Sequence, residues 1–403
     1  MGLLEQGIQE NKVIQTAQRM KLTIDGITEE YPIYKVRLDT LYYNDQNDRI
    51  ATWMSEYHAN NPDSNLSDDK EKLNEVIQAY IIKSNEARLK MTKDNIKNIG
   101  QQKPGVVLND GRVIDGNRRF TCLRLLAQDD EKFNWFETII LNRDYKHDEK
   151  QIKMLELQIQ IGEDQKVDYN PVDRLVGVYR DLIKEKLLSI EEYARSTNRK
   201  KAEVEKDIEL AELMAEFLDF INAHEKFYIA RDLAIDGPLN EAQGILRKER
   251  DEDARQRLKC VIFANLAVKP IDDMTRFIRD IKKIQKAGRI EQFVGLETPL
   301  VEQFSENLPP DRETKKDDLS RIKVETDLAK RFEGVMKSNV DCAGAVLEKE
   351  RPAHYLDNSF VNIKAIFESS ILSDLGQDER EEINEKIDNI IEKLNELRDL
   401  INV

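Results

Sequence analysis

The sequence predicts an α+β fold, in which a small mixed sheet is followed by a mostly α-helical region. Short segments with strand character, such as Tyr34–Leu38 and Val106–Leu108, alternate with helical segments up to about residue 165. After Asn170, the apolar residues recur mainly at helical spacing. With 403 residues, the chain is long enough for two or three domains.

The composition argues against several classes of protein. A formal net charge of -15 does not fit a strongly basic nucleic-acid coat protein, although one local basic patch can still contact DNA. The three cysteines lie far apart and form no CxxC pair, so a reducing compartment is expected. Because no signal peptide and no apolar run of 18 residues is visible, we expect a cytoplasmic protein without membrane contact.

The first 168 residues are predicted to contain a leader helix and a mixed domain. Residues 1–30 are interpreted as the leader helix, and residues 31–168 as the domain. Within the domain, residues 50–99 are mostly helical and are interrupted by the polar loop 60–64. Residues 138–141 have the pattern of a further strand.

The segment DGRVIDGNRRFTCLRLL, residues 110–126, has the order of parts that a phosphate-binding site needs. A hairpin turn and a short strand lead to Gly116, which permits a sharp turn and a close approach to a ligand. A helix then begins at Asn117, so its first amides would point at whatever lies beside Gly116. Arg118 and Arg119 add planar donors suited to phosphate oxygens. The same residues are explained equally well by an ordinary helix start at which two neighbouring arginines are buried or form ion pairs at the surface.

Residues 169–300 are predicted to form a helical domain that contains a helix-turn-helix at about residues 189–218. The run 189–192 fits a capping box, and a polar turn separates this short helix from a longer one. An ordinary helical hairpin is the alternative. The basic residues that would contact DNA are Arg199, Lys200, Lys201 and Lys206. Acidic residues interleave with them and would repel the DNA backbone.

The remainder of the chain is predicted to consist of a linker and a helical region. Residues 301–319 combine two prolines with a run of charges, which is typical of a linker. Residues 320–403 are helical, and residues 383–401 carry isoleucine and leucine at the alternating spacing of four and three found in coiled coils. This stripe can form a homodimer or dock on its own domain. The C-terminal half can also bind a protein partner.

Three segments together resemble ParB-type proteins, whose nucleotide-binding domain shares a fold with sulfiredoxin. They are Asn44–Arg49, Ile96–Ala127 and the run GEDQKVDYNP at Gly162–Pro171. Their order, followed by the helix-turn-helix, extends the resemblance over about residues 33–220. Asn117 stands between Gly116 and the arginines where the family has glutamate, and Gly162 stands where it has a metal-associated glutamate.

The resemblance implies a nucleoside triphosphate, CTP in particular, bound with Mg²⁺ beside Gly116. The residues expected at the phosphates are Gly116, Asn117, Arg118, Arg119, Thr121, Arg49, Gln165 and Lys166. Glu163 or Asp115 would hold Mg²⁺ through oxygen ligands. Three alternatives stay open: Asp115 bonds back to its own loop, Arg49 forms a salt bridge, and the Thr121 hydroxyl bonds its own helix.

Three functions follow from this interpretation. The first is a nucleotide-dependent, DNA-associated switch in DNA partitioning or a related process. The second is an NTP-hydrolysing enzyme of a DNA-modification or phage-defence system. The third is a non-catalytic interaction module with a degenerate nucleotide pocket. No general base is evident, so hydrolysis would be slow and the catalytic residues are unknown. We therefore favour nucleotide binding over catalysis as the function of this site.

Overall fold

A computed structural model of the chain confirms the predicted α+β class. It describes residues 3–24, 26–143, 145, 147–162, 170–310, 313–368 and 375–402. Residues 1–338 form one compact unit and residues 339–403 a second. In the first unit, a six-stranded mixed sheet precedes a mostly helical region.

The sheet has the strand order β1-β2-β6-β4-β5-β3. Its strands are β1 (Val13–Ile24), β2 (Ile27–Arg37), β3 (Tyr42–Tyr43), β4 (Gly105–Leu108), β5 (Arg112–Asp115) and β6 (Trp135–Leu141). The pairs β3–β5 and β4–β6 are parallel, and the other three pairs are antiparallel.

The helices of the first unit lie before, within and after the sheet segments. They are α1 (Leu3–Gln9), α2 (Ala51–Asn60), α3 (Lys70–Ser84), α4 (Glu86–Ile99), α5 (Asn117–Ala127), α6 (Glu149–Gly162), α7 (Pro171–Val178), α8 (Ile190–Ser196), α9 (Lys201–Phe220), α10 (Phe227–Asp232), α11 (Asp236–Leu246), α12 (Glu252–Val268), α13 (Met274–Lys286), α14 (Ile290–Glu306) and α15 (Lys316–Glu325). Two further helices follow, α16 (Leu328–Phe367) and α17 (Gln377–Ile401).

The predicted leader helix over residues 1–30 is wrong beyond α1. From Val13 to Arg37 the chain forms the long antiparallel hairpin β1–β2, which turns at Gly26 with a φ of 78°. Three apolar side chains of β1 are two positions apart, which is strand spacing, and pack on the sheet: Met20, Leu22 and Ile24. Their burial on the sheet outweighs any local preference for helix.

Alternating residues of the central strands divide the core between the two faces of the sheet. On one face, Tyr43 and Phe136 pack with Phe120 of α5. On the other face, Ile114 and Ile139 pack in the cluster that contains the apolar residues of α6. The strand β5 and the start of α5 are therefore supported from both sides.

The helical region begins at the predicted residues. At α7, the Asn170 side chain accepts a hydrogen bond of 2.9 Å from the Val172 amide. The predicted capping box is present at α8, where the Ser189 hydroxyl accepts from the Glu192 amide and the Glu192 carboxylate accepts from the Ser189 amide. The apolar stripe of α13 is buried along its length: Met274, Phe277, Ile278, Ile281 and Ile284. These helices therefore have the start signals and buried faces that the sequence predicts.

The predicted linker over residues 301–319 is wrong, because helices α14 and α15 occupy both its ends. The turn between them is held by polar side chains from the segment after α9. The Asn222 amide donates to the Pro309 carbonyl, and Lys226 Nζ donates to the Thr314 carbonyl, each at 2.9 Å. Thr314 is fully buried. The proline-rich, charged sequence thus corresponds here to a packed turn, because side chains from another segment form hydrogen bonds with its backbone carbonyl groups.

Helix α17 and the C-terminal part of α16 expose many large apolar side chains. The helix α17 covers the predicted segment 383–401 and buries none of its described residues. Its stripe includes Ile387, Ile390 and Leu394, which are each more than 40% exposed. Coiled-coil formation stays a prediction. Among the described residues, no helix has both the length and the apolar character that crossing a membrane requires.

Candidate functional site

Gly116 forms the turn between β5 and α5, in a conformation that other residues rarely adopt. Its φ is 98° and its ψ is 15°, in the left-handed region. A Cβ atom added there would lie 2.8 Å from Cζ of Phe136 and 3.1 Å from Nη2 of Arg119. Both the backbone angle and the lack of space therefore require glycine.

The start of α5 combines an uncapped first turn with the positive end of the helix dipole. Gly116 is the N-cap residue, and no described side chain caps the helix there. The amides of the first turn have no acceptor within the helix, because the first intrahelical bond runs from the Phe120 amide to the Gly116 carbonyl at 2.8 Å. The helix dipole adds partial positive charge at this end. Both effects favour an anion beside Gly116.

A cleft of about 450 Å³ opens at this helix start. Its first wall is the run from Asp115 to Arg119, and a second wall comes from Asn47, Arg49 and Ile50. The structure therefore brings together five predicted phosphate-binding residues at one cleft: Arg49, Gly116, Asn117, Arg118 and Arg119. A third wall, from α3 and α4, contains residues that the sequence did not indicate: Ile81, Ser84, Thr92 and Asn95.

Three polar atoms of the cleft-lining residues are buried without a hydrogen-bond partner among the described residues. They are Nε of Arg49, Nε of Arg119 and Oδ1 of Asn117. A buried polar group left in this state costs about 1–3 kcal/mol. Two of the three are donors on permanent cations, which is the donor chemistry that an anionic ligand would satisfy.

Arg119 is held in place by Asp115. Its Nη2 donates to Asp115 Oδ2 at 2.8 Å and to the Pro104 carbonyl at 3.3 Å. Asp115, the last residue of β5, is thus paired with a side chain of the first turn of α5. Its pairing with Arg119 positions the guanidinium at the cleft.

The described residues do not fit a protein-held Mg²⁺ ion. Among the described residues that line the cleft, Asp115 is the one carboxylate, and it is already paired with Arg119. No group of three or more aspartate, glutamate, histidine or cysteine side chains suited to a metal occurs in the described part of the chain. Mg²⁺ prefers several oxygen ligands and often shares them with phosphates. Glu163, the other predicted ligand, lies outside the described residues.

Thr121 does not reach the cleft. Its hydroxyl donates to the Asn117 carbonyl at 2.9 Å and lies 2.7 Å from the hydroxyl of Tyr43, and the residue is fully buried. The alternative that Thr121 bonds its own helix is therefore the observed geometry. The predicted residues Gln165 and Lys166 lie outside the described residues.

A buried charge cluster anchors the loop that carries Arg49. Asp48 is 1% exposed, and both its carboxylate oxygens accept from Lys153 Nζ at 2.8 Å. Arg180 also binds Asp48, and Lys153 lies 3.1 Å from Asp181. The Asp48 carboxylate therefore fixes the segment from one side while Arg49 lines the cleft on the other. No local sequence motif predicts this cluster, because its members come from three distant segments.

The candidate DNA-binding residues differ in their surroundings. Arg199 Nη1 donates to Asp207 at 2.6 Å, so it holds the turn between α8 and α9 to the second helix. Lys201 pairs with Glu191 at 2.6 Å. Lys200, Lys201 and Lys206 are all exposed. Three of the four predicted DNA contacts therefore face solvent, while Arg199 is partly buried.

Comparisons with known protein families and with curated proteins find no match for this chain. Among solved structures, it is similar to the C-terminally truncated chromosome-partitioning protein ParB from Caulobacter crescentus, complexed with CTP-γ-S. The identity is 14%, the match covers 51% of this chain and 98% of that chain, and the TM-score is 0.19. A superposition with this score supports no conclusion about ligand or function.

Proposed function

We propose that this protein binds a nucleoside triphosphate in the cleft at the start of α5. The observation that carries the proposal is the convergence of three arginines, Arg49, Arg118 and Arg119, on one cleft beside the start of α5. A phosphate chain would accept hydrogen bonds from these arginines and from the amides of the first turn.

The size and charge of the cleft favour a polyphosphate over a small anion. A volume of about 450 Å³ lies within the range of typical small-molecule sites and far exceeds that of one phosphate group. Arg118 is the third arginine of the cleft. The chain carries a formal charge of -15, so attraction of a highly charged anion must come from this local cluster.

The proposed role is a nucleotide-dependent, DNA-associated switch, with CTP as the first candidate ligand. The resemblance of the three sequence segments to ParB-type proteins supports CTP, and the exposed Lys200 and Lys206 support DNA contact. The proposed activity is nucleotide binding and not catalysis. Asp115, the carboxylate described at the cleft, is paired with Arg119 and is therefore not a free general base.

A second candidate is a protein-interaction module, and the exposed apolar residues of the second unit favour it. Phe360 is 68% exposed and Phe367 is 78% exposed. Large apolar side chains exposed in a group are typical of surfaces that bind another protein. The two candidates are compatible if a nucleotide controls the interaction.

Calorimetric titration with each of the four NTPs in the presence of Mg²⁺ tests nucleotide binding. Wild type should bind at least one of them, and Arg118→Ala should weaken that binding by about 10- to 100-fold, the loss expected for charge-assisted hydrogen bonds. The matched control is Arg19→Ala, an exposed arginine of β1 outside the cleft. If wild type binds no NTP, the proposal is wrong.

A further inference from the structure

The third wall of the cleft has a chemistry different from that of the arginine walls. It is formed by the end of α3, which contributes Ser84, and by the middle of α4, which contributes Thr92 and Asn95. Thr92 and Asn95 are three residues apart on α4 and therefore lie on the same helical face. The Asn85 side chain caps α4 by accepting from the Arg88 amide at 3.0 Å, which fixes the corner between the two helices.

The hydrogen-bonding state of these residues leaves mainly acceptors towards a ligand. Ser84 donates its hydroxyl proton to the Ile81 carbonyl at 2.9 Å, and Thr92 donates to the Arg88 carbonyl at 2.9 Å. Each hydroxyl oxygen can then only accept. The Asn95 side chain is exposed and forms no hydrogen bond with the described residues, so it offers both a carbonyl and an amide group.

These acceptors complement a nucleoside and do not complement phosphate. At neutral pH a polyphosphate is mainly an acceptor, and it is matched by the donors of Arg49 and Arg119. Ribose hydroxyls and base amino groups carry protons that the side-chain oxygens of Ser84, Thr92 and Asn95 can accept. The apolar side chains of Ile50 and Ile81, which line the same cleft, provide contact for the face of a ring.

We infer that Ser84, Thr92 and Asn95 form the nucleoside-recognition wall of the cleft, which distinguishes a nucleotide from a bare polyphosphate. This inference rests on the proposed function, because it assigns the second half of the same ligand. None of the three side chains is charged, so replacing them leaves the electrostatic attraction for phosphate unchanged.

The test compares two ligands on the full-length chain by calorimetry at one Mg²⁺ concentration. The ligands are sodium tripolyphosphate and whichever of the four NTPs binds wild type most tightly. Wild type should prefer the NTP by at least about tenfold, and Asn95→Ala and Thr92→Val should each weaken NTP binding by about tenfold. Tripolyphosphate affinity should stay within about twofold of wild type in both variants.

The matched control is Asn98→Ala, which makes the same substitution at an exposed asparagine of α4 outside the cleft. It should change neither affinity. Equal affinity of wild type for NTP and tripolyphosphate, or unchanged NTP affinity in both wall variants, would overturn the inference and leave the phosphate site intact. Absence of binding by both ligands would instead overturn the proposed function on which it rests.

Discussion

At the scale of single residues, Gly116 is the position where geometry allows the least change. A Gly116→Ala substitution puts a Cβ atom 2.8 Å from the Phe136 ring at a φ of 98°. We expect a loss of about 1–3 kcal/mol in the free energy of unfolding, from backbone strain together with the clash. Urea denaturation followed by circular dichroism measures this loss.

The control for Gly116 is Gly288, which has a φ of 65° but no atom within 4 Å of an added Cβ. Gly288→Ala therefore carries backbone strain without the clash. Gly116→Ala should lose more stability than Gly288→Ala. Equal losses would show that crowding against Phe136 does not constrain the turn.

Glu297 makes the stability of the helical region depend on pH. The residue is fully buried in α14 beside Asn265, and burial raises the pKa of its carboxyl to about 8. The folded state therefore holds a proton that the unfolded state, with an ordinary pKa of 4.5, releases. This contribution to stability is complete below about pH 4.5 and is lost progressively as the pH rises to about 8.

Glu297→Gln should remove that pH dependence, because a neutral amide replaces the carboxyl. The variant should gain stability relative to wild type at pH 8 and gain less at pH 5, as measured by urea denaturation at both values. Glu302→Gln, at an exposed position of α14, is the control and should show no such difference. A gain that is the same at both pH values would contradict the assignment.

The sequence alone predicts some residues of the candidate site and misses others, and the reason differs from residue to residue. Gly116, Arg118 and Arg119 belong to one local motif, so spacing was sufficient to predict them. Asp48 and Lys153 lie far apart in sequence, and their pairing appears only when the chain is folded. Asn95 resembles any exposed polar residue on a helix, because its position at the cleft depends on how α4 packs.

At the scale of elements, local signals predicted helix starts well and a long hairpin poorly. The Ser189 capping box and the Asn170 cap depend on side chains within a few residues of the helix start, so they are readable from sequence. The β1–β2 hairpin is stabilised by pairing and by packing on the sheet, which are non-local. The turn around Pro309 resembled a linker because its side-chain partners, such as Asn222, come from another part of the chain.

Lys200, which directly precedes α9, and Lys206 within α9 are both exposed, and we predict that they contact DNA. The double substitution Lys200→Glu and Lys206→Glu should weaken DNA binding and lower the slope of log affinity against log salt by about 2, one for each lost phosphate contact. Fluorescence anisotropy over a salt series measures this slope.

The control makes the same change in charge elsewhere, with Lys283→Glu and Lys286→Glu on α13, both exposed. It separates a local contact from a general effect of net charge. If both double variants change the slope equally, or neither does, the helix-turn-helix is not the DNA contact.

At the scale of the whole molecule, the exposed stripe of α17 predicts self-association. Ile390 and Leu394 are 47% and 41% exposed, and they occupy coiled-coil positions. We expect wild type to sediment as a dimer and the double variant Ile390→Glu and Leu394→Glu to sediment as a monomer, because charge at the seam prevents apolar burial. Sedimentation velocity at several concentrations measures this.

The matched control is Asn389→Glu with Asn395→Glu, which adds the same charge to α17 at exposed polar positions. It should retain the dimer. A wild type that stays monomeric at all concentrations would contradict self-association and favour a different protein as the partner of this surface.

We propose that the start of α5 and Arg49 hold the phosphates of a nucleotide. The most direct measurement is a crystal structure of the protein with a non-hydrolysable CTP analogue. We predict phosphate oxygens at about 3 Å from the guanidinium nitrogens of Arg49 and Arg119 and from the first amides of α5, as in ordinary hydrogen bonds. A nucleotide bound away from these groups would contradict the proposal.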